Sequence, residues 1–242
     1  DPRAAGGGTS AAARVWTPGG VVITQDVTVS ARVLAPNGTW SALAAPRFLL
    51  AGPAEPGTCD LWVTEIHYNP PGDDSAEFLE FHNAGTNLLD LSGVVLTNAV
   101  RFVFPPGSAL GPGQFLLAVE DTNAFRARYQ DPASPWYHAG LTVAGQWAGS
   151  LANEGETIDV AASNGTPIVS ITYGTSGDWP ERADGGGSSL ELRAPLPATN
   201  DADAVRAYVA QGRNWTSSSL YHGSPGRFDT YVRAVRISEA LT

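Results

Sequence analysis

Residues 61–104 read LWVTEIHYNPPGDDSAEFLEFHNAGTNLLDLSGVVLTNAVRFVF. Three short apolar runs stand out, Leu61–Tyr68, Glu77–His82 and Leu88–Leu96, rich in β-branched and aromatic residues. Asn69-Pro70-Pro71-Gly72 and Asn83-Ala84-Gly85 separate them, and such clusters are where a chain turns. Short runs bounded in this way are strands.

The same grammar continues downstream. Gln114–Glu120 is a strand with Phe115, Leu117 and Val119 on one face. Asp121–Tyr129 is the best helix candidate: Asp121 can accept hydrogen bonds from the amides at its start, and Phe125 and Tyr129 fall on one side at i, i+4. Residues 130–149, with Pro, Gly and the aromatics Trp136, Tyr137 and Trp147, read as a long ordered loop. Glu156–Val160 and Pro167–Tyr173 form a hairpin through Ser163-Asn164-Gly165-Thr166, because Asn-Gly suits a tight turn with positive φ. Ser188–Arg193 is a short strand with Leu190 and Leu192 inward, and Asn200–Gln211 has helical spacing at Val205, Tyr208 and Val209. The sum is an all-β domain of about seven to nine strands with one or two short helices, and frequent turns at this spacing argue for a Greek-key β-sandwich.

Upstream, residues 1–14 are a glycine-containing loop, and Val27–Leu34 alternates Val27, Val29, Ala31 and Val33 with polar neighbours as a half-buried strand does. Pro36-Asn37-Gly38 turns the chain, and the segment closes at Phe48-Leu49-Leu50. Residues 1–51 therefore look like the back half of a small β-sandwich, a partial second β domain. Gly52–Asp60, GPAEPGTCD, reads as a linker, residues 61–226 as the main sandwich, and 227–242 as a strand-forming tail or the start of a further module. Within the tail Val235–Ala240 echoes Trp62–Ile66, as a tandem repeat would.

Composition narrows the function classes. Net charge is -10 and all 14 basic residues are arginine, which argues against nucleic-acid binding, since that needs a basic face. No run of about 18 apolar residues is present, so no membrane insertion by a helix is expected. Cys59 is the single cysteine; it excludes a disulfide within the chain and reads as an inert thiol. With no Met and no signal-peptide pattern, the expectation is a mature or excised piece of something longer.

Two resemblances add to this. VTEIHYNP (63–70), EFLEFHN (77–83), LDLSGVVL (89–96), FVFPPGSALGPGQFLLAVED (102–121), SLANEGETIDVAASNGTPIVSITYG (150–174), WPERADGGGSSLEL (179–192), NW (214–215) and GSPG (223–226) resemble the lamin-tail domain in its bacterial form. That resemblance implies an immunoglobulin-like sandwich without catalytic residues, attached to secreted or surface proteins. DPR, the Gly/Ser/Ala loop and VVITQDVTVSARVLAPNGTWSALAAPRFLL resemble the end of the chitobiase C-terminal-like domain, an immunoglobulin-like module that trails secreted glycoside hydrolases and other surface proteins. The opening strands of that module are missing here.

No catalytic constellation emerges. Glu65, Glu77 and Glu80 could pair as a glycosidase acid and base, but no sugar-pocket signature accompanies them; Glu77 and Glu80 are expected to accept hydrogen bonds from turn amides or an Arg. His67 and His82 could meet on neighbouring strands and bind a metal, without an HxH or HExxH to support it. Asp73 and Asp74 are calcium candidates by composition, although their spacing matches no EF-hand and solvated loop charge accounts for them. Asp184-Gly185-Gly186-Gly187 lacks the Lys-Ser/Thr of a phosphate loop and reads as a turn with positive φ. Trp62, Trp179 and Trp215 read as core, whereas Trp136, Tyr137 and Trp147 could stack on sugar rings.

The expectation is a non-catalytic structural, adhesive or assembly module of a large secreted or surface bacterial protein, with no cofactor. Its expected partners are other copies of itself or other surface-protein modules, met by strand donation through tail residues Tyr231, Val235 and Ile237. The alternative is a polysaccharide-binding module serving an enzyme elsewhere in the parent chain. Either reading places it outside the cell or on its surface.

Overall fold

The computed structural model describes all residues except 21–22, 24–26, 49–51, 73 and 230–242. The chain forms two compact units, Asp1–Gly52 and Pro53–Thr242.

In the first unit β1 (Val27–Thr28) pairs antiparallel with β2 (Arg47–Phe48). Bridges Ala31↔Ala44 and Leu34↔Trp40 extend the same hairpin, which turns where Ala35 and Thr39 hydrogen-bond around Gly38. Val15, Trp16, Val33, Leu34 and Leu43 stand exposed, Val15 at 91% and Trp16 at 71%. The half-buried strand expected over Val27–Leu34 is not found: the ladder proper is Val27–Thr28, and Ala31 and Val33, on the face expected to be covered, are exposed.

The second unit is a β-sandwich of the immunoglobulin-like, all-β class. Its first strands are β3 (Leu61–His67), β4 (Phe78–Asn83), β5 (Leu89–Asp90), β6 (Val95–Asn98), β7 (Phe102–Val103), β8 (Ala109–Leu110) and β9 (Phe115–Val119). There follow helix α1 (Thr122–Phe125), β10 (Val143–Gln146), β11 (Thr157–Ala161), β12 (Pro167–Thr172), β13 (Leu190–Leu192), helix α2 (Ala202–Val209) and β14 (Trp215–Ser217). One sheet runs β10-β9-β4-β3-β13-β14, the other β12-β11-β6-β7, and β5-β8 is a separate ribbon.

Alternation along the strands divides the apolar residues. Leu79 and Phe81 of β4, Leu116 and Ala118 of β9, and Leu190 and Leu192 of β13 enter the main core with Leu96, Ile158, Val160 and Ile171 of the opposing sheet. The alternate residues Phe78, Leu117 and Val119 form a second cluster on the other face of the six-stranded sheet, under Phe125 and Tyr129. Two covered faces explain why β3 and β4 are buried at every position.

Asp121 caps α1 as expected: Oδ1 accepts from Asn123 N at 2.7 Å and Ala124 N at 2.8 Å. The helix continues into a wider π-turn, Arg126–Gln130. Asp201 caps α2 in the same way. The 163–166 hairpin turns at Gly165, φ +84°, with Thr166 N on Asn164 Oδ1 at 2.8 Å.

Four expectations need correction. The Leu88–Leu96 run is not one strand: Ser92 N bonds to Asp90 Oδ1 and Gly93 takes φ +76°, so the chain turns between β5 and β6. The 130–149 loop contains β10, which pairs parallel to β9 at Val143↔Leu117 and Gln146↔Val119. The second unit holds twelve strands among the described residues, more than the expected seven to nine, because several are only two or three residues long. Residues 53–60 are not a free linker: Ala54 N bonds to Leu88 O, Asp90 N to Ala54 O, and Thr58 Oγ1 to Ile168 O at 2.7 Å. At the other end Phe228 packs on His82 and Phe115, and Asp229 accepts from Ser219.

These contacts make residues 53–60 and 228–229 part of the packed body of the second unit. A 53–229 fragment should melt in one cooperative transition, and a 61–226 fragment should be weaker by a few kcal/mol. The shorter piece loses buried hydrogen bonds of about 1 kcal/mol each and aromatic pairs of about 0.5–1.5 kcal/mol each. Chemical denaturation of both fragments checks this; equal stability would show that the added ends contribute nothing.

Candidate functional site: a buried carboxyl row and its strap

Three glutamates stand side by side on the outer face of the six-stranded sheet. Register pairs Glu65 of β3 with Glu80 of β4 and with Glu191 of β13. Glu80 and Glu191 sit between core residues, Leu79-Glu80-Phe81 and Leu190-Glu191-Leu192, while Glu65 precedes the core residue Ile66 and follows Thr64 at a bulge between Val63 and Glu65. Period two sends the flanking apolar side chains into the sandwich and the carboxyls to the other face. Glu65 and Glu80 are 0% exposed and Glu191 2%.

A strap, residues 222–229, closes over them. Glu65 Oε1 accepts from Ser189 Oγ at 2.5 Å and from Ser224 N at 3.0 Å. Glu80 accepts from Thr64 Oγ1 at 2.8 Å and from Gly226 N at 2.5 Å. Ser224 Oγ donates to Glu191 Oε1. The strap follows a backbone that most residues avoid, with φ +70° at His222 and +87° at Gly223. A Cβ at Gly223 would collide with Glu65 Oε1, so only glycine lets the strap approach this closely.

Removal from water pushes all three carboxyls up. Glu65 rises to about 7, chiefly by burial, against the lowering effect of its Ser189 and Ser224 hydrogen bonds. Glu80 and Glu191 are raised well above the ordinary carboxylate value, by burial first and then by repulsion from their neighbours in the row. Among the described residues, hydroxyls and amides do the pairing. Such a row is comfortable mostly protonated.

The imidazoles move the opposite way. His67 is 0% exposed, packs edge-on against Phe78 at 5.4 Å, and is lowered to about 3 by burial, then by His222 and Arg128. His222 is lowered to about 4 by burial and then by Arg128. His67 and His82, weighed as a pair on neighbouring strands, do not meet: they pair with Phe78 and Trp62 at opposite ends of the β3–β4 ladder. His67 instead neighbours His222 at 6.3 Å, and His82 stacks on Phe115 at 4.4 Å. Among the described residues no group of three or more His, Cys, Asp or Glu side chains is arranged to hold a metal ion.

The other candidates fall out as follows. Glu77 accepts from Leu151 N at 2.8 Å and Glu80 from the Gly226 amide, so both take backbone amides. Trp62, at 2%, and Trp215, at 1%, are core, and Trp179 packs partly buried against it. Trp147 is corrected from a surface candidate to a core residue: it is 4% exposed, because β10 holds it against the sandwich. Trp136 and Tyr137 do reach the surface, at 36% and 44%. Asp73 lies outside the described residues, and of Asp74 only the backbone, opening a 3-10 turn over Asp74–Ala76, is described. Tyr231, Val235 and Ile237 also lie outside the described residues. The Cys59 thiol is pushed up by burial and by Asp60, the reverse of thiolate activation.

Sequence reasoning missed Glu191 and Tyr221. The signal for Glu191 was available in Leu190-Glu191-Leu192, which repeats the pattern of Leu79-Glu80-Phe81. Only the strand order brings all three together.

A groove of about 890 Å³ runs beside the row, lined by His82, Leu192, Pro195, Phe228 and Asp229 among others, and of the three glutamates Glu191 lines it. Glu65 and Glu80, which would have to act with it as acid and base, lie beneath the strap. The arrangement seals its carboxyls from substrate.

Sandwich, ribbon and sealed glutamates describe a structural domain. The family model of the lamin tail domain matches residues 54–175, half of the chain. The chain belongs to the lamin tail domain family, whose immunoglobulin-like domain is non-enzymatic. A search of the curated proteins found no match, and neither did a search of the solved structures.

The row and the histidines give stability a direction with pH. Raised carboxyls contribute stability that is fully present below the unfolded value of 4.5 and lost as pH climbs through the folded values, about 7 for Glu65. Lowered imidazoles contribute stability that is present above 6.5 and lost as pH falls toward 3–4. The two oppose each other between 4.5 and 6.5; above 6.5 only the carboxyls act. Stability should fall as pH rises from 6.5 through about 7, where Glu65 loses its proton, by up to about 1.4 kcal/mol per pH unit for each proton lost. Glu191→Gln, which keeps an acceptor for Ser224 and cannot ionise, should flatten that slope in urea melts; an unchanged slope would remove Glu191 from the row's titration.

Proposed function

We propose that the chain is a non-catalytic interaction and assembly module of a larger secreted or cell-surface bacterial protein, engaging other copies of itself or neighbouring modules. The observation that carries this reading is the first unit, in which Val15 and Trp16 ahead of the hairpin and Val33, Leu34 and Leu43 within it are exposed. Apolar residues gathered in so small a unit find cover on a partner surface, and a two-stranded sheet has edges open to strand addition. The family of the second unit supports a binding role over a catalytic one.

The partner strand is supplied by the tail of another copy, residues 230–242, where Tyr231, Val235 and Ile237 alternate or neighbour polar residues. Contacts of that kind use different surfaces on the two partners and propagate unless they close. Sedimentation of the intact chain, of a chain ending at Asp229, and of Val33→Glu should show concentration-dependent association in the first and a monomer in the other two. A monomeric intact chain at high concentration, or association that survives both changes, would sink the proposal.

A further inference from the structure

We propose that Trp136, Tyr137 and Tyr221 form a stacking platform for a neutral polysaccharide, a site separate from the assembly contacts above. Among the described residues of the second unit, the large hydrophobic side chains left exposed are Leu88, Val103, Trp136, Tyr137 and Tyr221. The two aliphatics lie elsewhere, Leu88 just before β5 and Val103 in β7. Trp136 and Tyr221 come from segments more than eighty residues apart, and the fold draws their rings together, with Tyr137 next to Trp136 along the chain.

The Trp136 and Tyr221 rings lie 6.4 Å apart with planes inclined by 37°. They share one support: the His222 ring meets Trp136 edge-on at 4.5 Å and Tyr221 edge-on at 4.4 Å. A single buried imidazole thus sets two exposed rings side by side as a shallow trough. His222 is itself fixed, its N–H donating to Gly187 O at 2.7 Å and its carbonyl accepting from Tyr129 Oη at 2.7 Å.

The backbone on both sides is equally held. Ser134 Oγ donates to Arg128 O at 2.5 Å and accepts from Trp136 N at 3.2 Å. His138 N donates to Tyr129 O at 2.8 Å. Tyr221 lies flush on Gly187, φ +93°, where any Cβ would strike its ring. The glycine-rich turn after Asp184 therefore provides the floor on which Tyr221 rests.

Rigid exposed aromatics bind at small entropic cost, because few rotors remain to be fixed. Two considerations select the ligand. A protein partner would bury a much larger area around such anchors, about 800 Å² on each side, and here the exposed large hydrophobics near the rings are the rings themselves. A pyranose matches that scale, with an apolar C–H face for the ring and hydroxyls for the Tyr137 and Tyr221 phenols at the rim. The net charge of -10 repels uronic or sulfated chains and leaves neutral ones.

Affinity electrophoresis of the full chain tests this in gels containing hydroxyethylcellulose, xylan, glucomannan or laminarin, with alginate as the acidic control. Retardation is expected in at least one neutral gel and none in alginate. Trp136→Ala and Tyr221→Ala should each reduce it at least tenfold, and Tyr221→Phe, which keeps the ring, should retain most of it. Melting curves of the three variants separate a lost platform from a lost fold; if an alanine variant melts early, quenching of wild-type tryptophan fluorescence by the retarding polysaccharide, unchanged in Tyr221→Phe, carries the test. The proposal is overturned by no retardation in any neutral gel, by equal retardation in alginate, or by binding indifferent to both alanine changes in folded protein. Capture of a protein competitor on these rings without sugar binding would assign them to a protein interface instead.

Discussion

Everything on the outer side of the six-stranded sheet depends on hiding three carboxyls. A single ionised carboxylate in so dry a place is severely penalised. Glu65, Glu80 and Glu191 avoid that by staying mostly protonated and by receiving hydroxyl and amide donors from the sheet and the strap. The relation runs both ways. Without the strap the row would meet water and ionise; without the row Ser224 N and Gly226 N would be buried amides lacking acceptors. That mutual need explains why the chain accepts positive φ at His222 and Gly223.

Aromatic packing secures the strap at both ends. At one end Tyr129 Oη holds the His222 carbonyl, and Tyr129 belongs to the cluster of Phe78 and Phe125. At the other, Phe228 closes on His82 and Phe115. The outer face therefore reads, along β4, as aromatic, acidic, aromatic: Phe78, Glu80, His82. A domain that needs two covered faces and uses its polar groups to seal one of them has little left for chemistry, which agrees with its membership in a non-enzymatic family.

The strands and helix starts were legible because their signals are local. Leu61–His67, the 157–172 hairpin and the Asp121 cap each announce themselves within a few residues, by period-two alternation, by Asn164-Gly165, or by an Asp at the right offset. What escaped was assembled at long range. β10 is Val-Ala-Gly-Gln, with no alternation to see, and exists because β9 offers it a parallel edge and Gly145 leaves room for Phe102, whose Cε2 lies 2.9 Å from where a Cβ would stand. Trp147 follows that strand into the core. Glu191 lies more than a hundred residues from Glu80, and only the order β4-β3-β13 lines them up. Residues 53–60 have the composition of a linker, yet two backbone hydrogen bonds and the Thr58 hydroxyl stitch them to the sandwich.

That stitching gives the domain a mechanical character. A pull on the chain at Pro53 does not reach β3 directly. It first loads the short parallel contact of Ala54 with Leu89 and the Thr58 bond to β12. At the far end the load falls on Asp229 where it grips Ser219. Both points where the chain enters and leaves the sandwich are thus fastened by contacts that lie outside the central sheet.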